Sequence, residues 1–222
     1  MPLQALTVGD VAEARLVVVF LHGHAMTPED FAPFATALGV PAWFHFLRGP
    51  HASSEGGRAW WPREPWHAGQ RGEAPWDLVD EHPPNREHSR AALAGYIDGL
   101  ARQRGGRPLL LAGFSQGGML ACDTLLQEDI AVDGIALLSS CRIAFDEWQP
   151  RLARLHALPA LVSHGRQDAQ LAFSAGLGLR DALLRGGAQL DWLPFDGGHE
   201  VPLLVWRRLR DLMQRLAAGR DR

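Results

Sequence analysis

A mostly parallel β-sheet covered by helices on both faces is the fold this sequence predicts, and three observations carry that expectation. Apolar strand-like runs alternate with helical stretches along most of the 222 residues, the order in which βα units wind a parallel sheet. The first strong run, Leu16-Val17-Val18-Val19-Phe20-Leu21, is β-branched and uncharged, as a strand buried on both faces should be. A later run, Pro108-Leu109-Leu110-Leu111-Ala112, leads directly into Gly113-Phe114-Ser115-Gln116-Gly117 and then into the helix-like stretch Gly118 to Leu126. Strand, sharp turn and helix follow one another there without a gap. The length suits one α/β domain spanning 1–222.

The remaining elements follow in chain order. After the strand Leu16–Leu21, Thr27 reads as an N-cap with Pro28 in the first turn, opening a helix to about Leu38. Ala42–Leu47 is the next strand. Residues 48–85 interrupt the alternation with a loop insertion rich in Gly, Pro and Trp, carrying Trp60, Trp61, Trp66 and Trp76. Loops of that length are usually functional or disordered, and tryptophans argue against disorder. Arg86 to about Arg104 is a long amphipathic helix with Leu93, Ile97 and Leu100 at helical spacing, closed by Gly105-Gly106. Beyond the serine turn, Gly134–Ser139 and Ala157–His164 supply two strands. A helix from about Leu171 to Leu184 precedes the last strand, Gln189–Phe195, and an amphipathic helix from about Pro202 to Leu216 ends the pattern.

Composition narrows the chemistry. The 46% hydrophobic and 21% charged residues are the profile of a globular chain, and a net charge of −3 gives no electrostatic reason to expect nucleic acid. All 22 basic residues are arginine. The absence of lysine removes Schiff-base and pyridoxal chemistry and the Walker-type phosphate loop. Cys122 and Cys141 lie in apolar settings and read as two buried free thiols rather than a disulfide. The first residues show no signal-peptide pattern, and no apolar run approaches the ~20 residues of a membrane span. A cytoplasmic location is expected.

Ser115 stands in a Gly-x-Ser-x-Gly turn, where glycines permit a tight bend and lift the hydroxyl above the sheet edge. The backbone N–H of Gln116 then falls near a helix N-terminus, placed to face a developing oxyanion. A serine hydroxyl is a weak nucleophile and needs a base, which in turn needs an acid to orient it. His199 suits the base: it follows the last strand in Asp196-Gly197-Gly198-His199, where two glycines let the loop turn over the sheet. Asp168, in the loop after the preceding strand, suits the acid. Asp196 competes for that role but fits a turn-stabilising part better. The backbone N–H of His24, just past the first strong strand, is the candidate for the second oxyanion donor, with Met26 lining the cleft. Trp60, Trp61 and Trp76 are expected as further pocket walls. His164 reads as structural. No metal site is expected, since His22 and His24 alternate across an extended segment and the other histidines lack ligand spacing.

With these residues in place, the chain resembles the phospholipase/carboxylesterase family of small α/β-hydrolases, which includes acyl-protein thioesterases. The resemblance rests on Gly113-Phe114-Ser115-Gln116-Gly117-Gly118, with Phe20-Leu21-His22-Gly23, Ala59-Trp60-Trp61, His164-Gly165-x-x-Asp168 and Gly197-Gly198-His199 in support, from about Leu16 to Trp206. It implies an α/β-hydrolase fold without a large cap domain, and a cofactor-free Ser115–His199–Asp168 hydrolase of carboxylic esters or thioesters. The partners implied are a small-molecule ester or thioester, with no nucleic acid and no membrane span; a homodimer stays open. Two positions depart from the family pattern. His24-Ala25-Met26 replaces Leu-Gly-Asp, and Trp60-Trp61-Pro62 replaces Trp-Phe-Asp or Trp-Tyr-Asp. Both favour a general carboxylesterase, preferring acyl chains of about four to eight carbons, over an acyl-protein thioesterase or lysophospholipase. A non-catalytic ligand-binding protein of the same fold, or an enzyme opening lactones or cleaving C–C bonds, are the remaining alternatives.

Overall fold

The computed structural model describes residues 3–62 and 75–219. Trp66 and the rest of 63–74 in the insertion therefore lie outside the described residues. In chain order the elements are β1 (Ala5–Val8), β2 (Leu16–Leu21), a 3-10 turn (Pro28–Asp30), α1 (Ala32–Leu38), β3 (Ala42–Leu47), β4 (His51–Ala52) and β5 (Arg58–Ala59). They continue with α2 (Arg86–Gln103), β6 (Leu109–Phe114), α3 (Gln116–Gln127), β7 (Gly134–Leu138), α4 (Phe145–Trp148) and a 3-10 segment (Gln149–Leu155). The chain then runs through β8 (Pro159–Gly165), α5 (Phe173–Arg185), β9 (Gln189–Phe195) and α6 (Leu203–Ala218).

Seven strands form one sheet in the order β1-β3-β2-β6-β7-β8-β9, all neighbours parallel except β1 on β3. The period of two along each strand divides its side chains between two cores. On β2, Val17, Val19 and Leu21 join Leu93, Ile97, Leu120 and Leu179 under α2, α3 and α5. Leu16, Val18 and Phe20 join Phe31, Trp206, Leu209 and Met213 under α1 and α6. Every residue of β2 is buried, which is why the run carries no polar position. This is the α/β-hydrolase fold expected from the sequence, with no large cap among the described residues.

Three differences from the sequence expectation have physical causes. The helix expected from Thr27 to Leu38 is broken into a 3-10 turn and α1. Pro33 lacks an N–H and crowds the carbonyl one turn back, so one continuous helix cannot form. Strand β1 is a short antiparallel edge whose central residues are exposed, and therefore carries no buried apolar run to announce it. The two-residue strands β4 and β5 pair His51 with Ala59 and Ala52 with Arg58, organising the first part of the insertion.

The order of strands decides where a site can lie. The chain leaves β2 for β3 on one side and returns to β6 on the other. The crevice outside the carboxyl ends of β2 and β6 is thus a topological switch point, the usual location of ligand sites in open α/β sheets. The loops after β2, β6, β8 and β9 all open at this edge.

Candidate active site

The serine turn is built by steric exclusion around two glycines. A Cβ on Gly117 would lie 2.3 Å from the Leu21 carbonyl oxygen, and one on Gly113 would lie 2.4 Å from the Gly117 carbonyl. Only glycine lets α3 start this close to β2 and β6. The unusual backbone falls on Ser115 itself, at φ 50° and ψ −118°. It is held there by the Ser115 N–H donating to the Leu138 carbonyl at 2.9 Å and by Ser140 Oγ donating to the Ser115 carbonyl at 3.0 Å.

The structure brings the three residues of the expected triad into one chain of hydrogen bonds. Ser115 Oγ lies 2.9 Å from His199 Nε2, and His199 Nδ1 lies 2.7 Å from Asp168 Oδ2. The other carboxylate oxygen, Oδ1, accepts the N–H groups of Gln170 and Leu171 at 2.8 and 2.9 Å. Asp168 is buried, which works to raise its pKa. The hydrogen bond and charge of His199, with the two backbone N–H donors, outweigh that and hold it below the usual carboxylate range. The His199 loop is tied down by Ser139 Oγ, which donates to the Glu200 carbonyl at 2.9 Å. Asp196 points elsewhere, into a 3.5 Å surface contact with Arg166.

The loop after β2 is fixed by buried polar contacts. The His22 ring accepts the Gly49 N–H at 3.0 Å through Nε2, and burial lowers its pKa to about 4, so it is neutral at pH 7. The Trp60 indole N–H donates to the His22 carbonyl at 2.8 Å. Beside it the Gln116 side chain clamps the insertion, accepting the Trp60 N–H at 2.8 Å and donating to the Trp61 carbonyl at 3.1 Å. Ser89 Oγ donates to the Trp60 carbonyl. These contacts anchor the aromatic motif without the aspartate that its family pattern carries. The His24 ring faces Ser53 Oγ at 3.2 Å and Glu55 at 3.5 Å. His22 and His24 therefore serve different neighbours, and the two rings do not converge on one point.

Among the described residues, Ser115 and His199 open into a cleft of about 430 Å³ lined by His24, Met26, Phe31, Phe34, Phe114 and Trp206, with Val201, Gln170 and the acids Asp30, Glu55 and Glu200 around it. The expectation that Trp60 and Trp61 wall the pocket is corrected: they are 0% and 3% exposed and pack into the core beneath α2. Trp76 is partly buried and does not line this cleft; its N–H donates to the Gln170 carbonyl and its own carbonyl accepts from Ala172, beside the Asp168 loop. Met26 lines the cleft as expected. The apolar wall comes from residues that sequence reading did not single out, on helices that it did expect. Phe34 stacks on Trp206 with ring centroids 4.3 Å apart and 8° between planes. The signal available in the sequence was Phe31 and Phe34 three apart, on one face of a short helical stretch.

The chain has the α/β-hydrolase fold, with a serine at the turn after the strand next to β2. Residues 99–202 match the family model described as Phospholipase/Carboxylesterase, a stretch that contains Ser115, Asp168 and His199. No curated protein matches the sequence. Among solved structures, esterase PE8 is 21% identical, with 97% of this chain and 100% of that one covered and a TM-score of 0.82. A carboxylesterase from Mesorhizobium loti is 20% identical over 96% and 94% of the two chains, TM-score 0.75. Acyl-protein thioesterase 2 of Zea mays is 17% identical over 97% and 99%, TM-score 0.76. At these identities the structural likeness concerns the fold, and the match over 99–202 agrees with the family resemblance drawn from the motifs. None of the described helices is long and apolar enough to cross a membrane.

Proposed function

We propose that this single-domain chain is a carboxylesterase-type serine hydrolase working through an acyl-enzyme, without a cofactor. The observation that carries the reading is the continuous path Ser115 Oγ–His199 Nε2 at 2.9 Å and His199 Nδ1–Asp168 Oδ2 at 2.7 Å, opening on a cleft with an apolar wall. His199 takes the hydroxyl proton as Ser115 Oγ attacks the ester carbonyl. Asp168, kept ionised, fixes the ring and stabilises the imidazolium. The backbone N–H groups of His24 and Gln116 receive the oxyanion. Collapse expels the alcohol, which leaves with the proton from His199, and water then repeats the sequence to release the acid. Two buried cysteines that form no disulfide with each other, Cys122 and Cys141, suit a reducing cytoplasm.

The acyl chain lies against Met26, Phe31, Phe34 and Trp206. Each covered methylene adds about 0.8 kcal/mol until the wall ends, so acyl groups of about four to eight carbons are preferred. Ser115→Ala in an otherwise intact protein should cost on the order of 10⁴–10⁶ in turnover of p-nitrophenyl butyrate; a folded variant that still turns over at the parent rate contradicts the reading. A second reading, hydrolysis of long-chain thioesters, draws on one feature. Phe34 is 38% exposed at the cleft mouth, and at the start of α6 Leu203 is 64% exposed. A kcat/KM that keeps climbing to sixteen carbons favours it.

A further inference from the structure

His164 is a titratable side chain that the proposed chemistry does not use, yet it sits against the acid. It is wholly buried near the end of β8. Its Nε2 lies 3.1 Å from the Leu171 carbonyl oxygen and 3.5 Å from Asp168 Oδ2. Both neighbours are acceptors, which assigns the ring hydrogen to Nε2. Nδ1 has no hydrogen bond among the described residues, as befits a neutral ring with one N–H. Burial, with the His199 charge, lowers the pKa of the ring, and the Leu171 carbonyl, the Asp168 charge and the Ser140 backbone oppose it. The ring has no room to move. A Cβ on Gly176 of α5 would lie 2.5 Å from its Cγ and Nδ1, and Phe173 meets it edge-on at 6.2 Å between centroids.

Leu171 connects the two groups. Its N–H donates to Asp168 Oδ1 while its carbonyl accepts from His164, so one residue holds the acid's turn by both of its backbone groups. A carboxylate has about four acceptor directions. Here Gln170, Leu171 and His199 donate along three of them, and the His164 N–H faces the fourth from slightly beyond hydrogen-bond distance. We propose that His164 is a positioning residue, fixing the turn of Asp168 through the Leu171 carbonyl so that Oδ2 stays aligned with His199 Nδ1. The inference rests on the Ser115–His199–Asp168 reading, and it gives a buried histidine a task in turnover rather than in packing alone.

Steady-state kinetics on three variants test it. His164→Phe keeps the ring volume but removes the N–H; kcat should fall about 10- to 100-fold with KM within about twofold, the scale of a small misplacement in the catalytic geometry. The acid limb of kcat/KM should move to lower pH, because the imidazolium loses a fixed carboxylate partner. His164→Gln offers an amide N–H toward the same carbonyl and should restore most of kcat. Gly176→Ala, on a helix that otherwise prefers alanine, should push the ring aside and reproduce the His164→Phe loss. A folded His164→Phe with unchanged kcat, equal losses in the Phe and Gln variants, or an acid limb that stays put or rises overturns the proposal. Should His164→Phe not fold, an unchanged kcat in folded Gly176→Ala overturns it instead. A fully active Ser115→Ala removes the triad reading and this one together, whereas loss of effect in the His164 and Gly176 arms alone removes only this one.

Discussion

Ser115 occupies a backbone region that non-glycine residues seldom enter, and such strain costs on the order of 1–3 kcal/mol. Its persistence is explained by the bonds to Leu138 and Ser140 that over-determine the turn. Ser115, Asp168 and His199 were legible in the sequence because each follows a strand, so order along the chain reports position along one sheet edge. What each tryptophan does was not legible, since burial is set by distant partners: Trp60 is enclosed by His22, Ser89 and Gln116, none of them its chain neighbours. The same reasoning separates the two aspartates. Asp168→Asn, measured as kcat on a p-nitrophenyl ester, should fall by about 10⁴-fold as the imidazole takes the wrong tautomer. Asp196→Asn should be nearly silent, because its pair with Arg166 is exposed and such pairs contribute about 0–1 kcal/mol. Reversed outcomes would reassign the acid.

At the scale of elements, α3 and the insertion depend on each other through a single side chain. Gln116 satisfies the Trp60 N–H and the Trp61 carbonyl, both buried. Gln116→Ala strands both groups and should lower the unfolding free energy by about 2–6 kcal/mol in urea titrations, at about 1–3 kcal/mol for each unsatisfied buried group. An unchanged midpoint means that water replaces the amide. The long strands and helices were legible from periodicity and caps, whereas β1, β4 and β5 were not, because pairing with a neighbour rather than their own composition defines them. The apolar wall of the cleft draws Phe34 from α1 and Trp206 from α6, and their rings stack beside the serine. Phe34→Ser should leave acetyl ester turnover near the parent value and lower kcat/KM for octanoyl esters several-fold, since only the longer chain reaches that ring. An equal loss on both esters would place the acyl chain elsewhere.

For the molecule as a whole, buried histidines tie stability to pH, His22 and His45 among them. Burial lowers the pKa of His22 and of His45 to about 4. In the unfolded chain each takes up a proton near the ordinary value of about 6.5. Between those limits the unfolded state binds more protons than the folded one, so stability falls as the pH drops from about 6.5 to about 4. The full effect is on the order of 3 kcal/mol per ring. His45→Gln keeps an amide near the Tyr96 hydroxyl, which His45 Nδ1 meets at 2.7 Å, and removes one titrating group. Urea unfolding across that window should show a smaller slope than the parent; an unaltered slope contradicts the assignment. Both rings sit in the scaffold that aims the site: His22 fixes the loop after β2, and His45 lies on β3 next to it.

The central claim, that Ser115 is the nucleophile of a triad completed by His199 and Asp168, is tested most directly by covalent labelling with a fluorophosphonate. One adduct per chain should form on the peptide that contains Ser115, with esterase activity lost in step with labelling, and Ser115→Ala should take up no label. An adduct on another residue, or activity that survives complete labelling, would contradict it.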